Sequence, residues 1–256
     1  MKIIDTHAHL DHLEDLDNAL ARAAQAGVEA IVAVGVDLKA NQRNLEIKKK
    51  TRAPKIYTAL GIHPGNINPD EVDATLEFIR ANIGEAVAIG ETGLDFWYKW
   101  VKKDPVKKKE QVEVFGKQLR LAQEFNLPVV IHSRGAWNEC LEMSQSVGIK
   151  KALFHWYSGP VDILKRILDR GYFVSASPSI ATSPQSREAI NHAPIEHTLI
   201  ETDCPVFYND NAGGGFKAEP KDVFRTLKSY AQLKNMEEQK ALEALNKNAK
   251  TFFGLE

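Results

Sequence analysis

The sequence has few cysteines, no long apolar run and almost no net charge. Its 256 residues include only Cys140 and Cys204, which excludes a disulfide framework and is typical of a reducing compartment. No stretch approaches the roughly 20 apolar residues of a membrane-spanning helix, and the first residues do not resemble a signal peptide. The formal net charge of −1 excludes a global field toward nucleic acid or membrane, so anion binding has to be local. We therefore expect a soluble, cytoplasmic protein without membrane contact.

What the sequence does contain is an alternation of short β-branched runs with longer amphipathic segments. The short runs are residues 2–4, 30–34, 56–60, 86–89, 128–131, 152–154, 172–175 and 198–200. Strands that alternate with helices predict an α/β protein with a parallel sheet. Eight repeats in about 250 residues predict a closed (β/α)8 TIM barrel. No shift in composition marks a boundary, so we predict a single TIM-barrel domain over residues 1–256.

Two segments near the C-terminus carry simpler signals. Residues 209–220 include Gly213, Gly214 and Gly215 in a row, which predicts a loop. Residues 236–253 have helical spacing and end before Gly254, which favours a helix with a glycine C-cap.

Polar side chains capable of metal binding or proton transfer follow most of the predicted strands. In chain order the segments are Asp5-Thr6-His7-Ala8-His9, Gly61-Ile62-His63-Pro64, Gly90-Glu91-Thr92-Gly93-Leu94-Asp95, His132-Ser133-Arg134, His155, and Glu201-Thr202-Asp203-Cys204-Pro205. The C-terminal ends of parallel barrel strands meet at one face, where barrel enzymes have their active sites. The sequence thus predicts a cluster of ligands and bases at that face.

The spacing His7-x-His9 has a physical reason. Residues i and i+2 of a strand point to the same side, so both imidazoles can reach one ion at about 2.0–2.1 Å. Two polar residues in a loop would explain the pair as well if it stood alone. The other polar strand ends favour the metal interpretation.

A carboxylate can bridge two cations, and Glu91, next to Gly90, is the natural candidate. His132 and His155 end adjacent strands and can share a second ion, although isolated histidines at such positions are more often structural. Asp203 can ligate the first ion and hold its water. Two cations about 3.5–4 Å apart would stabilise both the attacking and the leaving oxygen.

Taken together, these segments resemble the signature blocks of the TatD family of metal-dependent hydrolases and deoxyribonucleases. The blocks follow the family's order across nearly the whole chain, and Asn248-Ala249-Lys250 with Phe253-Gly254 is similar to its usual C-terminal end. The resemblance implies an amidohydrolase-like TIM barrel with one or two divalent metal ions (Mg, Mn, Zn or Ni) and hydrolysis of phosphodiester bonds, often in DNA. It also implies roles for eight residues: His7, His9 and Asp203 bind one metal, His132 and His155 bind the other, Glu91 bridges, and His63 and Arg134 face the substrate.

The chain departs from the family pattern at several places. Gly135 stands where an acidic residue is common, and Trp156-Tyr157 replaces the usual Cys-Phe after the sixth-strand histidine. The segment before Glu219-Pro220, usually rich in Arg and Asn, runs from Gly213 to Lys217 with three glycines. That change removes cations expected near a DNA substrate but leaves the metal ligands intact.

Positive and aromatic residues give separate evidence on the substrate. A phosphodiester is anionic, and Arg134 has the forked geometry that suits phosphate oxygens, with His63 as a second positive group. A basic segment with interleaved aromatics follows Glu91 and comprises Lys99, Lys102, Lys103, Lys107, Lys108 and Lys109 with Trp97, Tyr98 and Trp100. Such a mixture is typical of single-stranded nucleic acid binding, and equally compatible with a solvated loop before a helix.

Three functional hypotheses follow. In the first, water activated by the cations loses a proton to Asp203 while Glu91 holds the metals, and the resulting nucleophile attacks a phosphodiester. In the second, the same site is that of an amidohydrolase acting on a small ester, amide or lactone. In the third, the chain only binds nucleic acid, which such a complete ligand set argues against. Whether DNA cleavage is exonucleolytic or endonucleolytic stays open.

Overall fold

The computed structural model describes residues 1–210 and 213–255 and contains, within them, a barrel of parallel strands. Its strands are β1 Ile3–Ala8, β2 Val28–Val34, β3 Lys55–Leu60, β4 Ala86–Gly93, β5 Val129–His132, β6 Ala152–Phe154, β7 Phe173–Ala176 and β8 Thr198–Ile200. They pair in chain order from β1 to β8. A bridge between Ala8 and Cys204 joins the end of β1 to the segment after β8 and closes the barrel. The (β/α)8 prediction is confirmed.

Helices alternate with these strands around the outside. They are α1 Leu16–Ala26, α2 Leu38–Lys50, α3 Val72–Ala81, α4 Pro105–Phe125, α5 Trp137–Val147, α6 Val161–Leu168, α7 Pro184–His192, α8 Val223–Leu233 and α9 Glu238–Phe253. The start of α4 shows how the sequence sets such a boundary. The Asp104 carboxylate accepts hydrogen bonds from the amides of Val106 and Lys107 at 2.9 and 3.1 Å, and Pro105 needs no partner in the first turn.

The core has two layers because the strands are apolar on both faces. Alternate residues of β2 belong to different clusters: Ile31 packs with residues of the surrounding helices, whereas Val32 packs with Phe252 and Phe253 of α9. Strands of parallel sheets covered by helices are buried in this way. The polar segments lie at the C-terminal ends of the strands, beyond these apolar residues.

Two strands extend beyond the predicted runs into the functional segments. Strand β1 continues to Ala8, and β4 continues to Gly93, so His7 and Glu91 are strand residues rather than loop residues. Rigid, hydrogen-bonded backbone therefore positions them.

The C-terminal predictions have different outcomes. Helix α9 ends at Phe253 with Gly254 at a φ of 66°, which confirms the predicted C-cap. The loop prediction for residues 209–220 is wrong in part, because β10 Gly215–Lys217 pairs antiparallel with β9 Phe207–Asn209. Strand β10 is short and begins with glycine, which has a low strand preference, so sequence patterns do not predict it. Residues 211 and 212 lie outside the described residues, and no described helix has the length and apolar composition to cross a membrane.

Candidate metal centre and active site

The C-terminal ends of the barrel strands surround a cavity of about 750 Å³. Its lining includes almost all of the predicted site residues, namely His9, His63, Glu91, His132, Arg134, His155 and Asp203. His7 lies beneath them and is fully buried. The structure therefore brings the eight predicted residues together at one end of the barrel.

His7 and His9 form one pair, which we call the β1 pair. His7 lies in β1, and His9 directly follows the last residue of that strand; the two ring centroids are 5.2 Å apart. Each Nε2 lies 3.3 Å from Oε2 of Glu91. The same nitrogens lie 3.5 Å (His7) and 3.2 Å (His9) from Oδ1 of Asp203. Two nitrogens and two carboxylate oxygens thus enclose one small volume.

His132 and His155 form a second pair, the β5–β6 pair. His132 Nδ1 lies 2.9 Å and His155 Nε2 lies 2.8 Å from Oε1 of Glu91. The two nitrogens are 3.4 Å apart. The two carboxylate oxygens of Glu91 therefore face different imidazole pairs, which is the arrangement expected of a bridging ligand.

Close packing of β4 against β5 places Glu91 there. A Cβ atom on Gly93 would lie 1.9 Å from the carbonyl oxygen of His132, so only glycine allows this approach. Burial by itself would raise the pKa of Glu91, but close contacts with the surrounding imidazoles hold that pKa well below its ordinary value. Glu91 is therefore an anion at neutral pH.

Asp203 reaches the β1 pair through an unusual backbone conformation. Its φ of 49° lies in the left-handed region, which residues other than glycine seldom adopt. The amide of Asp203 donates to the carbonyl of His7 at 3.0 Å, which turns the carboxylate toward His7 and His9. Such strain is concentrated at functional sites.

Unsatisfied buried atoms test whether a cation fits this site. His7 Nε2 and Asp203 Oδ1 are buried and have no hydrogen-bond partner among the described residues. Buried polar atoms without partners are rare and costly. A divalent cation between them would satisfy both, and mixed nitrogen and oxygen donors suit Mg, Mn, Zn or Ni. The residues present therefore fit the predicted metal ions.

Two further carboxylates support the β5–β6 pair. Asp95 accepts from His132 Nε2 at 2.8 Å, and Glu201 lies 3.3 Å from His155 Nδ1. Both carboxylates are fully buried. The sequence analysis placed Asp95 and Glu201 in the polar segments without assigning them a role. Asp95 lies four residues after Glu91, and Glu201 lies two residues before Asp203. This closeness to predicted ligands is the sequence signal by which their role could have been found.

His63 and Arg134 both lie near His132: the ring of His63 is 4.6 Å from that of His132, and Arg134 shares the Asp95 carboxylate with it. His63 Nε2 is 3.4 Å from Oε1 of Glu91, and its Nδ1 accepts from the amide of Gly65 at 3.0 Å. Burial lowers the pKa of His63 to about 3, so it offers a substrate a hydrogen bond but not the positive charge expected from sequence. Arg134 is half exposed at the cavity wall.

The basic segment after β4 divides into engaged lysines and exposed ones. Lys107 pairs with Glu110 at 2.8 Å, and Lys108 lies over the ring of Phe96. Lys99, Lys102 and Lys103 are exposed and do not line the cavity. Of the aromatics, Trp97 and Tyr98 line the cavity together with Trp137 and Trp156. The aromatic part of the prediction thus lies nearer the site than the basic part.

The departure at residue 135 has a structural reason. Gly135 has a φ of 73°, and a Cβ atom there would lie 2.3 Å from the indole of Trp97. The Trp97 side chain therefore occupies the space that a larger residue at position 135 would need.

Comparison with known proteins identifies the chain. A family model described as TatD related DNase matches residues 4–254. The chain belongs to the TatD family. It is 32% identical over 259 residues to an uncharacterized metal-dependent hydrolase of Methanocaldococcus jannaschii, covering 99% of this chain and 97% of that protein. A Homo sapiens protein named deoxyribonuclease is 29% identical over 263 residues, covering 98% and 94%.

A solved TatD structure has the same architecture. The Escherichia coli TatD homologue YjjV superposes with a TM-score of 0.88 at 25% identity, covering 99% of this chain and 98% of that one. The predicted family is confirmed, and the chain is a metal-dependent hydrolase of the TatD type. The assignment of individual ligands stays a prediction that the distances above make specific.

Proposed function

We propose that this TatD-family chain is a divalent-cation-dependent phosphodiesterase that cleaves DNA. The observation that carries the proposal is the Glu91 carboxylate, whose two oxygens each face a separate imidazole pair at the floor of a cavity with Arg134 in its wall. Such a two-sided donor set is suited to in-line displacement at phosphorus. The deoxyribonuclease name of a human relative supports the same substrate.

The proposed metal ligands have separate roles. His7, His9 and Asp203 would hold one cation, His132 and His155 a second, and Glu91 both. When bound, the cations supply Lewis acidity, which acidifies water and neutralises charge on the phosphoryl group. Asp203, held by its backbone amide against β1, accepts the proton of the attacking water. Glu91 contacts both imidazole pairs and so fixes their position relative to each other.

The cavity wall would bind the substrate. Arg134 offers a phosphate two parallel hydrogen bonds, and neutral His63 offers one more. Trp97 is 55% exposed and meets Trp137 edge to face at 5.4 Å, which makes a surface for stacking a base. Glu91 is only 2% exposed, so a scissile phosphate would have to enter the cavity to reach the cations that Glu91 would hold.

A carbonyl substrate is the competing possibility, and one observation favours it. Among the described residues that line the cavity, Arg134 is the single lysine or arginine. A small ester, amide or lactone would need fewer cations than a polynucleotide. The same cavity could polarise a carbonyl in place of a phosphoryl group.

A substrate comparison separates the two. We expect metal-supplemented protein to release nucleotides from single-stranded DNA and to hydrolyse bis(4-nitrophenyl) phosphate, with both activities lost in chelator and in Asp203→Ala. Turnover of carbonyl substrates alone would contradict the phosphodiesterase proposal. Equal rates for wild type and Asp203→Ala would remove Asp203 from the chemistry.

Two broader predictions belong to this proposal. A cytoplasmic location is supported by Cys140 and Cys204, which are buried and free. A single domain over residues 1–256 is supported by one barrel and one family match over residues 4–254.

A further inference from the structure

We infer that Asp95 is a positioning residue that couples the metal site to phosphate binding. One oxygen of this carboxylate, Oδ2, accepts from His132 Nε2 at 2.8 Å and from Arg134 Nε at 2.8 Å. The inference rests on the proposed function, because it assigns phosphate binding to Arg134. No other described carboxylate contacts both a predicted metal ligand and the arginine of the cavity wall.

The carboxylate is held rigidly from its other side. Oδ1 of Asp95 accepts from the amides of Trp97 and Tyr98 at 3.0 and 3.1 Å. The Asp95 amide donates to Gln111 of α4 at 3.0 Å, and the side chain is fully buried. A carboxylate has about four acceptor sites, and all four are used here. Asp95 therefore has little freedom to turn away from His132 or Arg134.

The first consequence concerns the tautomer of His132. A hydrogen bond from Nε2 to the Asp95 carboxylate requires the proton on Nε2. In the neutral imidazole the lone pair is then on Nδ1, on the side of Glu91 where a cation would bind. The four hydrogen bonds that the Asp95 carboxylate accepts stabilise its ionised form.

The second consequence concerns the guanidinium of Arg134. Its hydrogen bond to Asp95 uses Nε, and among the described residues no acceptor is bonded to either terminal nitrogen. Arg134 also lies over the ring of Tyr98, with Cζ 5.0 Å from the centroid. The two terminal nitrogens are thereby left for a phosphate, in the parallel geometry that arginine provides.

Glu201 provides a matched comparison within the same site. It supports His155 as Asp95 supports His132, but it contacts Ser175 in place of an arginine. A change at Glu201 should therefore affect cation binding alone, whereas a change at Asp95 should affect cation and phosphate binding together.

The experiment compares Asp95→Asn, Glu201→Gln and Arg134→Gln. The first readout is Mn²⁺ affinity of metal-free protein by titration calorimetry, and the second is KM for bis(4-nitrophenyl) phosphate at saturating Mn²⁺. In Asp95→Asn the amide nitrogen cannot accept from His132 and Arg134 while its oxygen serves Trp97 and Tyr98. We expect Mn²⁺ affinity to fall about 10- to 100-fold and KM to rise roughly tenfold.

Each of the other two variants should show only one of these two effects. We expect Glu201→Gln to lose about 10- to 100-fold in Mn²⁺ affinity with KM unchanged. Arg134→Gln should raise KM and leave Mn²⁺ affinity unchanged. The coupling is overturned if Asp95→Asn matches Glu201→Gln in both readouts, or if it matches wild type.

Two measurements stay informative if a variant fails to fold or the proposed function fails. Nitrogen-15 NMR of the wild-type protein with diamagnetic Zn²⁺ should find the His132 proton on Nε2, and a proton on Nδ1 overturns the inference. If no phosphodiester is cleaved, binding of inorganic phosphate replaces KM, and Asp95→Asn should weaken it as Arg134→Gln does. An unchanged phosphate affinity in both variants overturns the coupling.

Discussion

The β1 pair and the β5–β6 pair of imidazoles approach the same carboxylate but are positioned by different means. His7 lies in β1 and His9 directly follows Ala8, the last residue of that strand, and the Nδ1 atoms of both have no hydrogen-bond partner among the described residues. His132 is the last residue of β5 and His155 directly follows β6, and a buried carboxylate faces the nitrogen of each that points away from Glu91. The first pair comes from one short stretch of chain, whereas the second depends on contacts between distant segments.

Four groups proposed to contact the substrate lie near the β5–β6 pair. Arg134, Trp97, Trp137 and Trp156 all follow β4, β5 or β6, next to the carboxylate-supported pair. Asp203, the proposed proton acceptor, lies by the β1 pair. The difference suggests a division between water activation on one side and substrate binding on the other.

The largest expected effect comes from removing the group that both pairs share. Glu91→Gln eliminates the charge that faces all four imidazoles, so we expect Mn²⁺ binding to be lost on both sides. Hydrolysis of bis(4-nitrophenyl) phosphate should fall by at least about 10³-fold. Glu85→Gln, an exposed glutamate just before β4, is the matched control. Retention of Mn²⁺ binding in Glu91→Gln would contradict the shared role.

A substitution in the β1 pair should affect one side only. We expect His9→Asn to reduce the number of Mn²⁺ ions bound per chain from two to one and to lower activity about 10²- to 10³-fold. Calorimetric stoichiometry measures the first effect and initial rates the second. His192→Asn, on the exposed surface of α7, serves as control. Loss of both ions in His9→Asn would show that the two sides do not bind independently.

The aromatic wall should affect the substrate and not the cations. Trp97→Ala removes a stacking surface worth about 1–3 kcal/mol per base, so KM for a short single-stranded oligonucleotide should rise about 5- to 140-fold. KM for bis(4-nitrophenyl) phosphate should change less, because that substrate carries no base. Trp100→Ala is the control, since Trp100 is 56% exposed but does not line the cavity. Equal effects of the two variants would argue against base stacking at Trp97.

The smallest expected effect concerns the support of His155. The Ser175 hydroxyl donates to Glu201 and accepts from the amide of Trp156, and all of these contacts are buried or half-buried. Ser175→Ala should lower the free energy of unfolding by about 1–3 kcal/mol. Chemical denaturation measures this, with exposed Ser146→Ala as control. An unchanged stability would show that the buried Glu201 finds another partner, such as water.

Much of the fold was predictable because each strand is short, apolar and separated by a helical segment. All eight predicted runs overlap strands of the barrel, and Gly254 ends the last helix as expected. The β9–β10 hairpin was missed because its second strand is short and begins at Gly215. Tertiary packing, and not local preference, forms such a strand.

The candidate site was predictable to the level of residue type and strand end. The sequence could not predict which nitrogen of each histidine faces Glu91. That nitrogen differs between His132 and His155 and depends on Asp95 and Glu201. The neutral state of His63 was also out of reach, because its lowered pKa is caused by burial.

The sequence by itself determined the barrel, the family and the set of candidate ligands, because periodicity and residue order along strands are local properties. Only the tertiary structure decided that the two oxygens of Glu91 face different imidazole pairs. It alone brought Asp95 onto both His132 and Arg134, and set the aromatic wall, without the nearby lysines, against the cavity. Those features depend on distances between strands that are far apart in the chain, and no pattern in the sequence encodes such distances.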